Sequence, residues 1–147
     1  MPWLDDQIHL QREKLFVAAL DVHKAFVTVA AHKMEHNLGV LATGLENVRG
    51  LLGHSMRVDS GFRCTELNAA VGGAKTSAHM LGYAADFVCP GFGNPLEIVR
   101  AISASDLVFD QCIQEGTWVH ISFDPKSRRD VLTAIFGVGG TSYRKGV

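Results

Sequence analysis

The residues able to do chemistry gather in two short stretches, KTSAHMLGYAADFVC at 75–89 and TWVHISFD at 117–124. The first sets His79 beside a glycine-broken turn and places Asp86 seven positions later in an apolar run. Burying a carboxylate next to Phe87 and Val88 is costly unless a positive group meets it. In WVHISF a period of two puts Trp118, His120 and Ser122 on one face of a strand and Val119, Ile121 and Phe123 on the other. The second face reads as core, so His120 points to the opposite side of the sheet. There it can meet Asp86 from a neighbouring strand and His79 from the loop feeding that strand. Two imidazoles and one carboxylate satisfy zinc and leave a fourth position open for water. A metal is then the expected partner of Asp86. With seven histidines in the chain such a triple also arises by chance, and a metal-free structural protein would have to give Asp86 another cation.

The elements that must position these groups are legible in outline. Residues 7 to about 36 carry apolar positions at helical period without internal proline or glycine, as one long helix or two. Leu38, Leu41, Leu45, Val48 and Leu52 continue the pattern in a second helix, closed by Gly53. MRVDSGFRC reads as a short strand and turn, CTELNAAVGG as a capped helical turn, and AADFVC as a strand. NPLEIVRAIS is a helix with Asn94 as its cap and Pro95 in its first turn. LVFDQCIQ and TWVHISFD, separated by Glu115 and Gly116, predict a hairpin. PKSRRDVLTAIF fits either a short helix or a last strand, and the tail from Val138 to Val147 reads as frayed. Helices first and strands later is an α+β pattern. One domain over 1–147 is expected, with an N-terminal helical segment over 1–37, a core over 38–137 and a flexible tail over 138–147.

Composition narrows the function. Fourteen basic against fifteen acidic residues, with no block of like charge at either end, remove the field that phosphate-backbone binding needs. Nucleic acid is not an expected partner. MPWLDDQIHLQREK lacks the basic start and apolar run of a secretory signal, and the longest apolar tracts are broken by charges. The expectation is a chain made in the cytoplasm with no transmembrane segment. Three cysteines cannot all pair, and a domain of this length needs no disulfide, although one bridge stays open.

SGFRC-TELNAAVGG, then SAHMLGYAAD, then WVHIS together resemble the zinc D-alanyl-D-alanine carboxypeptidase family, particularly its small bacteriophage and bacterial members that cut peptidoglycan peptides. The family pattern S-x-H-x-x-G-x-A-x-D with a later W-x-H finds Ser77, His79, Gly82, Ala84, Asp86, Trp118 and His120 in register. The likeness covers roughly residues 38 to 136. It implies the hedgehog/DD-peptidase fold, a central antiparallel sheet with helices packed on one side. It also implies one zinc per chain, held by His79, Asp86 and His120. Amide cleavage further needs a group that carries a proton from water to the leaving amine. Glu115, five residues before His120 at the hairpin bend, is the choice, and Asp110 is the reserve. Many relatives carry a glutamate three positions before the last histidine, where this chain has Thr117. Arg63 matches the family arginine that contacts substrate, since a guanidinium can grip a carboxylate or polarise a carbonyl. Ser77, Gln111 and Trp118 are further candidates for the substrate cleft.

The first helix offers a competing metal idea, His32 and His36 one turn apart with Glu35 between them and His23 upstream. The H-E-x-x-H order is absent and a solvated face is the simpler reading. The leading expectation is a monomeric zinc peptidase acting on peptidoglycan stem peptides or cross-bridges, reaching the wall as an endolysin or on a virion. The alternative is a metal-stabilised binding or virion assembly module of the same fold that has lost turnover.

Overall fold

The computed structural model describes residues 29–147. The part of the predicted first helix over residues 7 to 28, with His23, lies outside them. Helix α1 (Val29–Leu52) is continuous, so the break expected near residue 37 does not occur. Asn37 is no breaker because its side-chain amide donates to the carbonyl of Leu81, 2.7 Å away, and does not compete for its own backbone. Leu38, Leu41, Leu45, Val48 and Leu52 form the buried stripe. Gly44 lies in that stripe because a Cβ there would stand 2.5 Å from the ring of Phe123. His32, Glu35 and His36 are exposed, and no third ligand joins them among the described residues.

The chain continues through β1 (Arg57–Ser60), α2 (Thr65–Ala70), a 3-10 turn (Ala78–Leu81), β2 (Ala84–Val88) and α3 (Pro95–Ala104). The start of α3 is a complete capping box: Asn94 accepts from the amide of Glu97, and Glu97 accepts from that of Asn94. Strands β3 (Gln111–Glu115), β4 (Trp118–Ser122), β5 (Asp130–Gly137) and β6 (Gly140–Lys145) finish the molecule. The fold is α+β, with six strands in the order β1-β2-β4-β3-β5-β6.

Two expectations are corrected here. The sheet is mixed, because β3 and β5 run parallel while every other pair is antiparallel. The reason is local: β4 ends at Ser122 opposite Gln111, the start of β3. A short loop then delivers Asp130 to the other side of that same residue. The tail is not frayed but is strand β6, paired with β5 from Leu132↔Lys145 to Gly137↔Gly140. The ambiguous segment before it is strand β5 from Asp130 on.

Side-chain alternation gives the sheet two different faces. Ala85, Phe87, Cys112, Val119 and Ile121 join Ile98, Val99 and Ile102 of α3 and the stripe of α1 in one core, so both long helices cover one face. Each large side chain fully buried there contributes about 1.5–3 kcal/mol. The opposite face carries Asp86 and His120, and the 3-10 turn brings His79 over it. The cysteines are free. Burial pushes the Cys112 thiol up to about 12, which leaves it inert. Among the described residues no helix is long and apolar enough to cross a membrane.

The loop into β5 is tied by Asp110, which is 2% exposed. Arg128 grips it with two parallel bonds, Nε to Oδ1 at 2.8 Å and Nη2 to Oδ2 at 2.6 Å. The amide of Arg128 adds a third to Oδ1. These bonds from Arg128 outweigh desolvation and lower the Asp110 pKa from 3.8. The pair therefore stabilises the fold fully above the ordinary aspartate range and is lost as pH falls through the lower folded value. R128A is expected to cost about 1–3 kcal/mol at neutral pH by leaving a buried acceptor short of partners. Urea unfolding of both proteins from pH 7 downward checks this, and the two stabilities should converge at acid pH.

Candidate metal centre

Strands β2 and β4 pair so that Asp86 and His120 are direct neighbours. The 3-10 turn supplies the third group. Ser77 caps it, its Oγ accepting from the amide of His79 at 3.3 Å. Gly82 ends it at φ +75, where a Cβ would also stand 2.6 Å from the sulfur of Met34. The glycine thus serves both the turn and the close approach of α1.

Within this frame His79 Nε2 lies 3.1 Å from Asp86 Oδ1 and 3.1 Å from His120 Nδ1, and the last two atoms are 2.9 Å apart. Nδ1 of His79 lies 2.6 Å from the carbonyl oxygen of Gly61. A carbonyl only accepts, so the proton sits on Nδ1 and the lone pair of Nε2 faces the other two groups. Two imidazole nitrogens and a carboxylate oxygen thus converge on one point. Three atoms bonded to a tetrahedral zinc at about 2.0–2.2 Å lie roughly 3.3–3.6 Å apart, so the three groups need only spread by roughly 0.2–0.7 Å to take the ion. The donor set fits zinc, and the Gly61 carbonyl is the outer partner that orients a ligating imidazole. This is the one group of three such side chains among the described residues that could hold a metal ion.

Asp86 has a positive neighbour that sequence reasoning did not assign to it. Its Oδ2 accepts from a terminal nitrogen of Arg63, whose Nε donates to Ser60 Oγ at 2.9 Å. Burial pushes the Asp86 carboxyl up, but the neighbouring His120 and His79 rings outweigh it and hold the group well below the usual carboxylate range. The carboxylate stays ionised, as a metal ligand must be.

The remaining candidates fall in two groups. Gln111, Ile113 and Glu115 stand opposite Ser122, His120 and Trp118, so Gln111, Glu115 and Trp118 share the face of His120. Glu115 Oε2 accepts from the indole Nε1 of Trp118 at 2.8 Å, a bond not foreseen from the sequence although both residues were singled out. Gln111 is half-buried at the start of β3, its backbone N–H donating to Ser122 Oγ. Asp110, by contrast, has both oxygens engaged by Arg128 and serves the loop.

The family comparison agrees with this geometry. A search of curated proteins finds no significant match. The family model described as Peptidase M15 matches residues 8–122, reaching further toward the N-terminus than the likeness read from the three sequence blocks and stopping at the end of β4. That match spans most of the sequence and both halves of the His79, Asp86, His120 cluster, and the chain accordingly belongs to the Peptidase M15 family of zinc D-alanyl-D-alanine carboxypeptidase-like peptidases.

Proposed function

We propose that the chain is a zinc-dependent hydrolase of peptide bonds in peptidoglycan stem peptides or cross-bridges, with a fold of the hedgehog/DD-peptidase type. The observation that carries the reading is the convergence of His79, Asp86 and His120 on one point, in a member of this peptidase family. Those three residues would hold the ion. Zinc bound there would supply Lewis acidity, polarising a carbonyl and making water nucleophilic at neutral pH.

Glu115 carries the proton. It takes one from the attacking water as the C–O bond forms and gives it to the leaving nitrogen as the C–N bond breaks. The Trp118 indole fixes one carboxylate oxygen, leaving the other to face the substrate. Arg63 does two jobs. It neutralises the outer oxygen of Asp86, and the rest of its guanidinium grips a carboxylate or carbonyl of the peptide. Ser77 shapes the loop of the first ligand, while Gln111 and Trp118 line the cleft. The natural setting that suits such a chain is the bacterial wall, reached as an endolysin or from a virion.

Metal analysis and thermal unfolding test the ligand set. Zinc at a hundredfold excess over its Kd stabilises a folded protein by about 2.7 kcal/mol, so chelation should lower the Tm of the native chain. H79A, D86A and H120A should bind little zinc and show no such shift; one-to-one zinc in H79A would sink the triad.

Arg63→Lys keeps the charge and loses the planar fork. The expected fall in kcat/KM on a synthetic stem peptide is roughly 10- to 100-fold at unchanged zinc content. Equal activity would confine Arg63 to its bond with Asp86.

Glu115→Gln should keep zinc and substrate affinity while kcat drops by about 10² to 10⁴. Mass analysis of digested peptidoglycan reads this directly. Normal turnover by E115Q would remove Glu115 from the chemistry, and a zinc-loaded native chain that yields no products would favour the assembly module.

A further inference from the structure

The family match ends at residue 122, yet the sheet continues beyond β3 through β5 and β6. Register shows what those strands present. Glu115 stands opposite Trp118 on β4. On its other side β3 pairs with β5 up to Gln114↔Thr133, and one step further Ala134 lies beside Glu115. Ala134 in turn pairs with Tyr143 on β6. Trp118, Glu115, Ala134 and Tyr143 therefore form one row across four strands, all on the face of His120. Val131, which packs on the helical core, shows that the alternate residues of β5 point the other way.

The row has a shape. Ala134 is small and buried, whereas Tyr143 and Phe136 stay more than half exposed. The Phe136 ring lies 6.3 Å from that of Trp118. A low floor at Ala134 is thus bounded by aromatic side chains, with Glu115 at its inner end and a phenol at its outer end. Exposed aromatics around a buried alanine suit a ligand of peptide chemistry, with apolar methyl groups and carbonyl acceptors.

The geometry points to β5–β6 as the outer wall of the substrate cleft, in which Tyr143 donates a hydrogen bond to a peptide carbonyl of the substrate lying over Ala134. The inference rests on the peptidase reading for the identity of the substrate. Burial, with Glu115 and Asp86 adding to it, raises the Tyr143 pKa, so the phenol keeps the proton it donates. Tyr143 acts as a positioning and specificity residue. It holds the peptide while Glu115 and the metal-binding cluster act on the scissile bond.

The test is a binding measurement on zinc-loaded E115Q, which does not depend on turnover. The probe is a synthetic stem pentapeptide containing both L-Ala-D-Glu and D-Ala-D-Ala bonds. Adding Y143F should weaken binding about 3- to 10-fold, the loss of one neutral hydrogen bond, at unchanged zinc content and Tm. S142A, on the opposite face of β6, should bind as the parent does. In the native background Y143F should raise KM by the same factor with kcat nearly unchanged. Equal affinity of Y143F and parent, or an equal loss in S142A, would overturn the assignment. A Y143F loss of affinity in a chain that never hydrolyses the peptide would sink the peptidase reading and leave the subsite standing, while a native zinc-loaded chain that does not bind the pentapeptide would overturn both.

Discussion

Asp86 is almost wholly buried, and its two oxygens go separate ways: Oδ1 faces His79 and His120, and Oδ2 faces Arg63. A buried carboxylate is tolerated only when positive or proton-bearing groups surround it. Each partner comes from a different piece of chain. His120 arrives by strand pairing, His79 by a 3-10 turn and Arg63 from the segment after β1, whose amide also donates to the carbonyl of His79. Satisfying one buried charge thus fixes the relative positions of β1, β2, β4 and the ligand loop.

The sheet separates this polar cluster from the apolar core by the thickness of one backbone layer. Phe87 and Asp86 are adjacent in sequence, yet one packs among the helices and the other faces the histidines. Dispersion and area burial on the helical side hold the strands in register. That register then delivers the polar groups without further adjustment. A slip of one residue in β2 or β4 would exchange the two faces and place a carboxylate in the core. The geometry of the cluster is as well determined as the packing of Phe87, Val119 and Ile121.

What the sequence made legible follows from where its signals were local. WVHISF read at period two gives the face of His120 directly; Gly116, at φ +68 in the bend, marked the hairpin that carries Glu115. Asn94 and Pro95 announced the helix they cap. The three blocks that carry the family likeness placed His79, Asp86 and His120. Other features had no local signal. The side chains of β6 are all exposed, so its composition of glycine, polar residues and one tyrosine looked like a loose end. The parallel pairing of β3 with β5 depends on where a loop returns in space. The bond from Arg63 to Asp86 joins residues 23 apart in sequence. The continuous α1 was hidden by Asn37, whose partner lies 44 residues away.

That last residue carries a consequence for how the molecule is partitioned. Asn37 holds the carbonyl of Leu81, and the Met34 sulfur occupies the space left by Gly82. Both contacts fall within the turn that presents His79, and both come from the part of α1 that precedes the hydrophobic stripe. The front of the helix is therefore a brace for the ligand loop. A boundary drawn at residue 38, where the periodicity suggests a core begins, would saw through that brace. A unit that keeps the cluster in place starts at least one helical turn earlier, because the turn presenting His79 borrows its rigidity from a helix that contributes none of the three clustered side chains.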